Sequence, residues 1–184
     1  SRFPVHVTLR LCDGLPKLRR FEMYRWIKVA LARTAARAGS CGFRICEFSV
    51  QQNHLHLICE AKSQPELSRG VQGFSVSIAK RINRALGRRG AVFADRFHMV
   101  VLRSPRQVRN AVCYVLQNGR RHRVFGSVGN RGWKGGPRRE SEPWVVDPFS
   151  SGRYFDGWEP GHWIPPPEDD GALVEEAETW LLRT

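Results

Sequence analysis

Two histidines two positions apart, in Gln51-Gln52-Asn53-His54-Leu55-His56-Leu57-Ile58-Cys59-Glu60, are the residues of this chain best spaced to do chemistry. The stretch alternates as a β-strand does, and successive strand side chains point to opposite faces of a sheet. His54 and His56 then share one face, and Leu55 and Leu57 share the other. Two neutral imidazoles side by side on a rigid sheet are a ready pair of metal ligands.

A second stretch can complete such a site. With residues 107–121 on a helical wheel of about 100° per residue, Val108, Ala111, Val112, Val115 and Leu116 fill one arc. Gln107, Asn110, Tyr114, Gln117, Asn118 and Arg121 fill another. Tyr114 and Asn118 are surface neighbours one turn apart. A tyrosine kept for packing belongs in the apolar arc, whereas Tyr114 lies among amides and an arginine. The plainer alternative is a boundary tyrosine capping the edge of the core. A phenol with a pKa of about 10 is a poor nucleophile at neutral pH, but a divalent cation polarising a phosphodiester oxygen offsets much of that handicap. Two histidine nitrogens and one amide oxygen would hold such an ion and leave positions for phosphate and water. That set suits Mg²⁺ or Mn²⁺ better than a closed Zn²⁺ site. The product would be a covalent phosphotyrosine and a free sugar hydroxyl.

The elements that must position these residues follow from periodicity. Val5, Val7, Leu9 and Leu11 alternate through a first strand. Phe21, Tyr24, Ile27, Leu31, Ala35 and Ala38 predict a helix from about Lys17 to Ala38, stopped by Gly39. Phe43–Val50 and His54–Cys59 read as a hairpin. Pro65 opens a second helix with the stripe Leu67, Val71, Phe74, Ile78, Ile82 and Leu86. Phe97–Leu102 is a fourth strand, and Ser104-Pro105 starts the Tyr114 helix with Ser as N-cap. The order β-α-β-β-α-β plus a helix predicts an α+β fold, a ferredoxin-like split βαβ with an antiparallel sheet. The histidine pair falls on a central strand of its open face, where the extra C-terminal helix can bring Tyr114.

Charge points to the partner. The 184-residue chain carries a formal net charge of +13. Residues 1–147 hold 28 Lys and Arg against 9 Asp and Glu, whereas residues 148–184 hold 2 against 8. A basic body with an acidic tail fits a polyanion, nucleic acid first, although a solvated basic surface is the bland alternative. Phosphate contacts from Arg84, Arg88, Arg89, Arg120, Arg121, His122 and Arg123 would be salt-dependent and blind to sequence, and Trp133 could stack on an unpaired base. Five cysteines without a CxxC pair exclude a disulfide framework or zinc ribbon and predict reduced thiols in a cytoplasmic, nucleoid-associated protein. No run of about 18 apolar residues predicts a membrane span. Past His122 the composition shifts to Gly and Arg, then to Pro, Trp and acidic residues. A domain over residues 1–122 is therefore expected, with residues 123–184 as a tail docked through its tryptophans and carrying a short acidic helix near Gly171–Leu182.

Gln-Asn-His-Leu-His-Leu resembles the His-hydrophobic-His (HUH) motif of single-tyrosine DNA transposases. Tyr114-Val115-Leu116-Gln117-Asn118, followed by Arg120-Arg121-His122, resembles the tyrosine helix of the REP-associated tyrosine transposases, and Phe93-Ala94-Asp95-Arg96-Phe97-His98 the segment before their last strand. The resemblance spans about residues 4–122. It implies hairpin-bearing single-stranded DNA as partner, Mg²⁺ or Mn²⁺ as cofactor, and nicking and strand transfer through a 5′-phosphotyrosine. Carried over by position, Tyr114 is the nucleophile and His54, His56 and Asn118 the metal ligands, with Gln117 a rival for the third. Asn118-Gly119 stands where the family commonly has Asn-Pro. A monomer and a homodimer are both compatible with the pattern. Three other readings compete. A 2H phosphoesterase would use His6-Val7-Thr8, but the second HxT or HxS is missing. An HxHxDH hydrolase lacks its Asp after His56. A non-catalytic or domesticated nucleic-acid-binding module on the same fold lacks the aromatic pair expected on the open face.

Overall fold

The computed structural model describes residues 3–121, 146–158 and 171–183, with backbone alone at residues 119–121. Its elements are β1 (Val5–Arg10), α1 (Phe21–Ala35), α2 (Ala38–Cys41), β2 (Phe43–Val50), β3 (His54–Ala61), α3 (Gln64–Ala85), β4 (His98–Val101), α4 (Pro105–Arg121), a 3-10 turn at Ser151–Tyr154 and α5 (Trp180–Arg183). One antiparallel sheet runs β2-β3-β1-β4. The fold is the expected α+β, ferredoxin-like arrangement, with β1 and β3 at the centre.

The core on the helix side is built from alternating strand residues. Val5, Val7 and Leu9 of β1 and Leu55, Leu57 and Cys59 of β3 pack with Ile27 and Leu31 of α1 and Leu67, Val71, Phe74, Ile78 and Ile82 of α3. In β2 the alternation changes phase. Phe43 and Ile45 face the helices, and so do Phe48 and Val50, because the pairing with β3 slips between Ile45 and Glu47 and leaves Cys46 as an extra residue. Such a bulge lets two out-of-phase apolar pairs share one face. Gly70 brings α3 onto that strand, since a Cβ there would sit 2.1 Å from the Phe43 ring. Ser63 caps α3 by accepting from the Glu66 amide at 3.3 Å.

The first helix is shorter than its periodicity predicts. Lys17–Arg20 form a turn tied to the β2–β3 connection, with the Leu18 amide on the Gln52 carbonyl at 2.8 Å and Arg20 extended. The apolar face is set by Met23, Ile27, Ala30, Leu31 and Ala35, and Phe21 is 80% exposed. Ala38 belongs to the separate turn α2, which Gly42 closes at φ +64.

The opposite sheet face is covered by α4. Ser104 caps it by accepting from the Gln107 amide at 3.3 Å, and Gln107 Oε1 reaches back to the Arg103 amide at 2.7 Å. Val108, Ala111 and Val115 meet Ile58, Leu102 and Leu181 in a second apolar cluster. The described tail residues line the outer edge of β2. Val50 N–H donates to the Phe149 carbonyl at 2.8 Å, and the Phe48 amide donates to Ser151 Oγ at 2.8 Å. Asp147 grips Arg19 with two bonds of 2.8 Å, their side chains 1% and 6% exposed. Further on, Leu173 joins the first core, and the Glu175 amide donates to the Ile45 carbonyl at 3.0 Å. The buried Glu60 carboxylate then accepts from the amides of Glu178 and Thr179 and from Thr179 Oγ1 at 2.5–3.0 Å. These bonds hold residues 171–179 out of the helix that composition suggests, and only Trp180–Arg183 is helical. The apolar contacts come from Phe149, Leu173 and Leu181 rather than from Trp180, which is 58% exposed. Trp158 bonds the Gly152 carbonyl at 2.7 Å, whereas Trp133, Trp144 and Trp163 lie outside the described residues. Among the described residues no helix is long and apolar enough to cross a membrane.

Candidate active site

Register places the histidines. Across β1 and β3 the pairs are His6 with Ile58, Thr8 with His56 and Arg10 with His54, and on β4 His98 lies opposite Thr8. All six residues named from β1 and β3, and His98, lie on the sheet face that carries α4. Helix α4 is anchored over Ile58 and carries Tyr114 onto the imidazoles. The Tyr114 ring meets His56 edge-on with centroids 5.1 Å apart, and His6 at 6.0 Å. Asn118, one turn further along the same line of the helix, is 0% exposed, and neither of its amide atoms has a hydrogen-bond partner among the described residues. Gln117 beside it is half-buried.

The rings are held from outside. His54 Nδ1 lies 2.9 Å from Asn53 Oδ1. A carboxamide oxygen only accepts, so Nδ1 carries the proton and Nε2 of the neutral ring has a lone pair. That Nε2 faces His56 Nε2 at 3.0 Å. His56 Nδ1 is 3.1 Å from His6 Nε2 and 3.2 Å from Thr8 Oγ1. His56 is 5% exposed. Burial, and after it the charge of His98, lowers the pKa of His6 below the usual histidine value and keeps that ring neutral at pH 7.

These donors fit a hard divalent ion. Adjacent corners of an octahedron with bonds of about 2.1 Å are about 3.0 Å apart, the separation of the two Nε2 atoms. A tetrahedron with the same bonds would need about 3.4 Å. A metal-free pair at this distance makes an N–H···N bond instead. Among the described residues no three His, Cys, Asp or Glu side chains converge on one point, and Asn118 offers a buried amide with no hydrogen-bond partner among those residues.

The sequence-predicted residues are thus only partly gathered. His54, His56 and Tyr114 meet, and Asn118 is buried on the sheet-facing side of the same helix. Arg84 and Arg89 are exposed at the end of α3, across the sheet from the histidines. Arg88 is half-buried and bonds the Ala91 carbonyl of its own loop at 3.1 Å. Of Arg120 and Arg121 only the backbone is described, and His122, Arg123 and Trp133 lie outside the described residues. Sequence reasoning passed over Arg10, which is exposed next to His54 on the same face, and over Thr8 and Asn53. The alternation of β1 contains Thr8 and Arg10, but only the register with β3 shows what they touch.

The site is thus a tyrosine of α4 against a histidine pair on a four-stranded antiparallel sheet with helices on both faces. The family model for IS200-like transposases matches residues 15–118. The chain belongs to that transposase family. A solved structure of the REP-associated tyrosine transposase bound to a REP hairpin has the same fold, with a TM-score of 0.59 at 19% identity over 97% of this chain and 94% of that one. None of the curated proteins compared with the chain is significantly similar to it.

Proposed function

We propose that this transposase nicks and rejoins single-stranded DNA beside a hairpin through a 5′-phosphotyrosine at Tyr114. His54, His56 and Asn118 would hold Mg²⁺ or Mn²⁺. The observation that carries this reading is the edge contact between Tyr114 and His56 at 5.1 Å, within one chain. It puts the Tyr114 phenol beside two paired nitrogens, and one turn away the Asn118 amide is buried with no partner among the described residues. The DNA hairpin bound by the structurally similar transposase supports the substrate class.

When bound, the cation would supply Lewis-acid polarisation of a non-bridging phosphate oxygen. The chain's own residues do the rest. Helix α4 holds the Tyr114 hydroxyl near the phosphate, and its half-buried position leaves a route for the phenolic proton to solvent. The Tyr114 oxygen bonds to phosphorus as the bond to the sugar 3′ oxygen breaks, and that oxygen takes up a proton. One ester replaces another, so rejoining needs no external energy source. Arg10, exposed beside His54, would contact a phosphate flanking the scissile one. Arg120, Arg121, His122 and Arg123 would hold phosphates beyond it and Trp133 an unpaired base, whereas Arg84, Arg88 and Arg89 lie across the sheet from the histidines.

Incubation with Mn²⁺ and a labelled hairpin oligonucleotide should trap a covalent adduct that Tyr114→Phe abolishes. An adduct undiminished in Tyr114→Phe would sink the nucleophile assignment. Retained hairpin binding with no adduct across a panel of hairpins would favour the non-catalytic module.

A further inference from the structure

We infer that Asn53 and His6 are positioning residues that aim the two ring ligands, each through one hydrogen bond to an Nδ1 atom. The inference rests on the metal-holding reading above and concerns the layer behind it.

An imidazole on a strand can rotate about its last bond and exchange nitrogen for carbon at the point it aims at. Only a partner on Nδ1 prevents this and selects the tautomer, and such partners are a regular part of histidine metal sites. For His54 that partner is Asn53 Oδ1 at 2.9 Å. Because this oxygen only accepts, it forces the Nδ1–H form and leaves Nε2 as the aimed lone pair. Asn53 is itself fixed, since its carbonyl accepts from the Leu11 amide at 2.8 Å and the preceding Gln52 carbonyl accepts from Leu18 at 2.8 Å. The β2–β3 turn is therefore stitched to the end of β1 and to the turn before α1.

For His56 the partner is His6 Nε2 at 3.1 Å, with Thr8 Oγ1 at 3.2 Å on the same nitrogen. Both come from β1, the neighbouring central strand, and both face α4. His6 also meets Tyr114 edge-on at 6.0 Å. One side chain thus touches a ring ligand and the nucleophile, and it lies behind His56, with its Nε2 turned to His56 Nδ1 rather than to the Nε2 pair. This explains a third histidine on the open face that does not join the pair.

The test compares Mn²⁺ affinity by titration calorimetry for wild type, Asn53→Ala, Asn53→Asp, His6→Ala and His54→Ala. The metal-free melting temperature checks folding. Imidazole ¹⁵N shifts of the metal-free protein report the His54 tautomer directly. Asn53→Ala and His6→Ala are expected to weaken Mn²⁺ binding about 10- to 100-fold. Asn53→Asp, which keeps an acceptor, should restore it. The wild-type His54 ring should show the Nδ1–H form and lose that preference in Asn53→Ala. Wild-type affinity in both alanine variants, with binding lost in His54→Ala, would overturn the inference and leave the metal reading standing. Unchanged affinity in His54→Ala as well would remove the metal reading and this inference together. A His54 ring protonated on Nε2 in the metal-free wild type would refute the role of Asn53 whatever the affinities.

Discussion

Replacing Asn118 with leucine should make the metal-free protein more stable and the metal-loaded protein less so. Asn118 is wholly buried, and both amide atoms are without a partner among the described residues. A buried unpaired polar atom costs about 1–3 kcal/mol. Leucine keeps the branched outline, and its larger methyl groups cost about 1 kcal/mol or more in a packed site. Counting the amide as one unpaired group, the net gain is then up to about 2 kcal/mol, and at about 2–4 °C per kcal/mol for a chain of this size the melting temperature should rise by up to roughly 8 °C. Mn²⁺ reverses the ranking. At a hundred times its dissociation constant it stabilises the wild type by about 2.7 kcal/mol, whereas a site weakened about a hundredfold gains only about 0.4 kcal/mol at the same concentration. Thermal denaturation with EDTA and with Mn²⁺ reads both effects. Gln117→Leu, at a half-buried position, should leave the metal-free melting temperature nearly unchanged and the Mn²⁺ increment intact. If Asn118→Leu melts lower in EDTA and keeps the full increment, the amide is a structural group and the reasoning fails. If Gln117→Leu is the variant that loses the increment, Gln117 is the third ligand.

Two further outcomes concern the tail. Glu47 is hydrogen-bonded to Ser151 at 2.5 Å, and burial raises its carboxyl from 4.5 to about 8, with the Ser151 bond opposing the shift and Asp156 adding to it. The native state then keeps a proton that the unfolded state releases. Stability from this group is full below about pH 4.5 and declines as pH rises towards 8, with a ceiling of about 5 kcal/mol at 1.4 kcal/mol per pH unit. Glu47→Gln should flatten that decline in urea denaturation between pH 5 and 9, and a slope equal to wild type would contradict it. Asp147→Ala removes the counter-charge of the buried Arg19 guanidinium, which keeps the Val50 carbonyl and the Phe149 ring, and should cost about 3–5 kcal/mol, measured by the same denaturation at pH 7, whereas Arg19→Met with Asp147→Leu should recover most of the loss.

The order of elements was legible because each one carries a period of its own. The alternation of β3 and the stripe Leu67, Val71, Phe74, Ile78 and Ile82 of α3 are local signals, and those five residues are all buried. The Cys46 bulge was not legible, because Phe43-Arg44-Ile45 and Phe48-Ser49-Val50 each alternate correctly and only pairing with β3 reveals the change of phase. Contacts of the tail were hidden for a different reason. Arg19 with Asp147 and Glu60 with Thr179 join residues more than a hundred positions apart through single polar groups, and such groups leave no periodic trace. Of the two described tail tryptophans, Trp180 is exposed and Trp158 is half-buried and bonded to the Gly152 carbonyl, while Leu173 and Leu181 are buried. Around the histidines, the wheel of α4 placed Tyr114 outside the apolar arc and so against the polar part of the sheet. Alternation in β1 and a central β1–β3 pair already put His6 on the open face beside His56 in a surface or supporting role, whereas the contact of Thr8 required the register.

The open face divides its work along the length of β3. At one end Ile58 gathers Leu102, Val108, Ala111, Val115 and Leu181, which is enough apolar area to hold α4 on the sheet. At the other end His56, His54, Thr8 and Arg10 supply no apolar contact of that kind. Because the anchor is complete without them, these residues are released from packing, and polar groups that would weaken a core can be kept where they touch a substrate. Asn118 marks the boundary. It lies on the sheet-facing side of α4, where burial asks for an apolar residue, yet it is an amide without a partner among the described residues. A buried amide without a described partner calls for an explanation, and the cation proposed between the paired nitrogens of His54 and His56 would supply one.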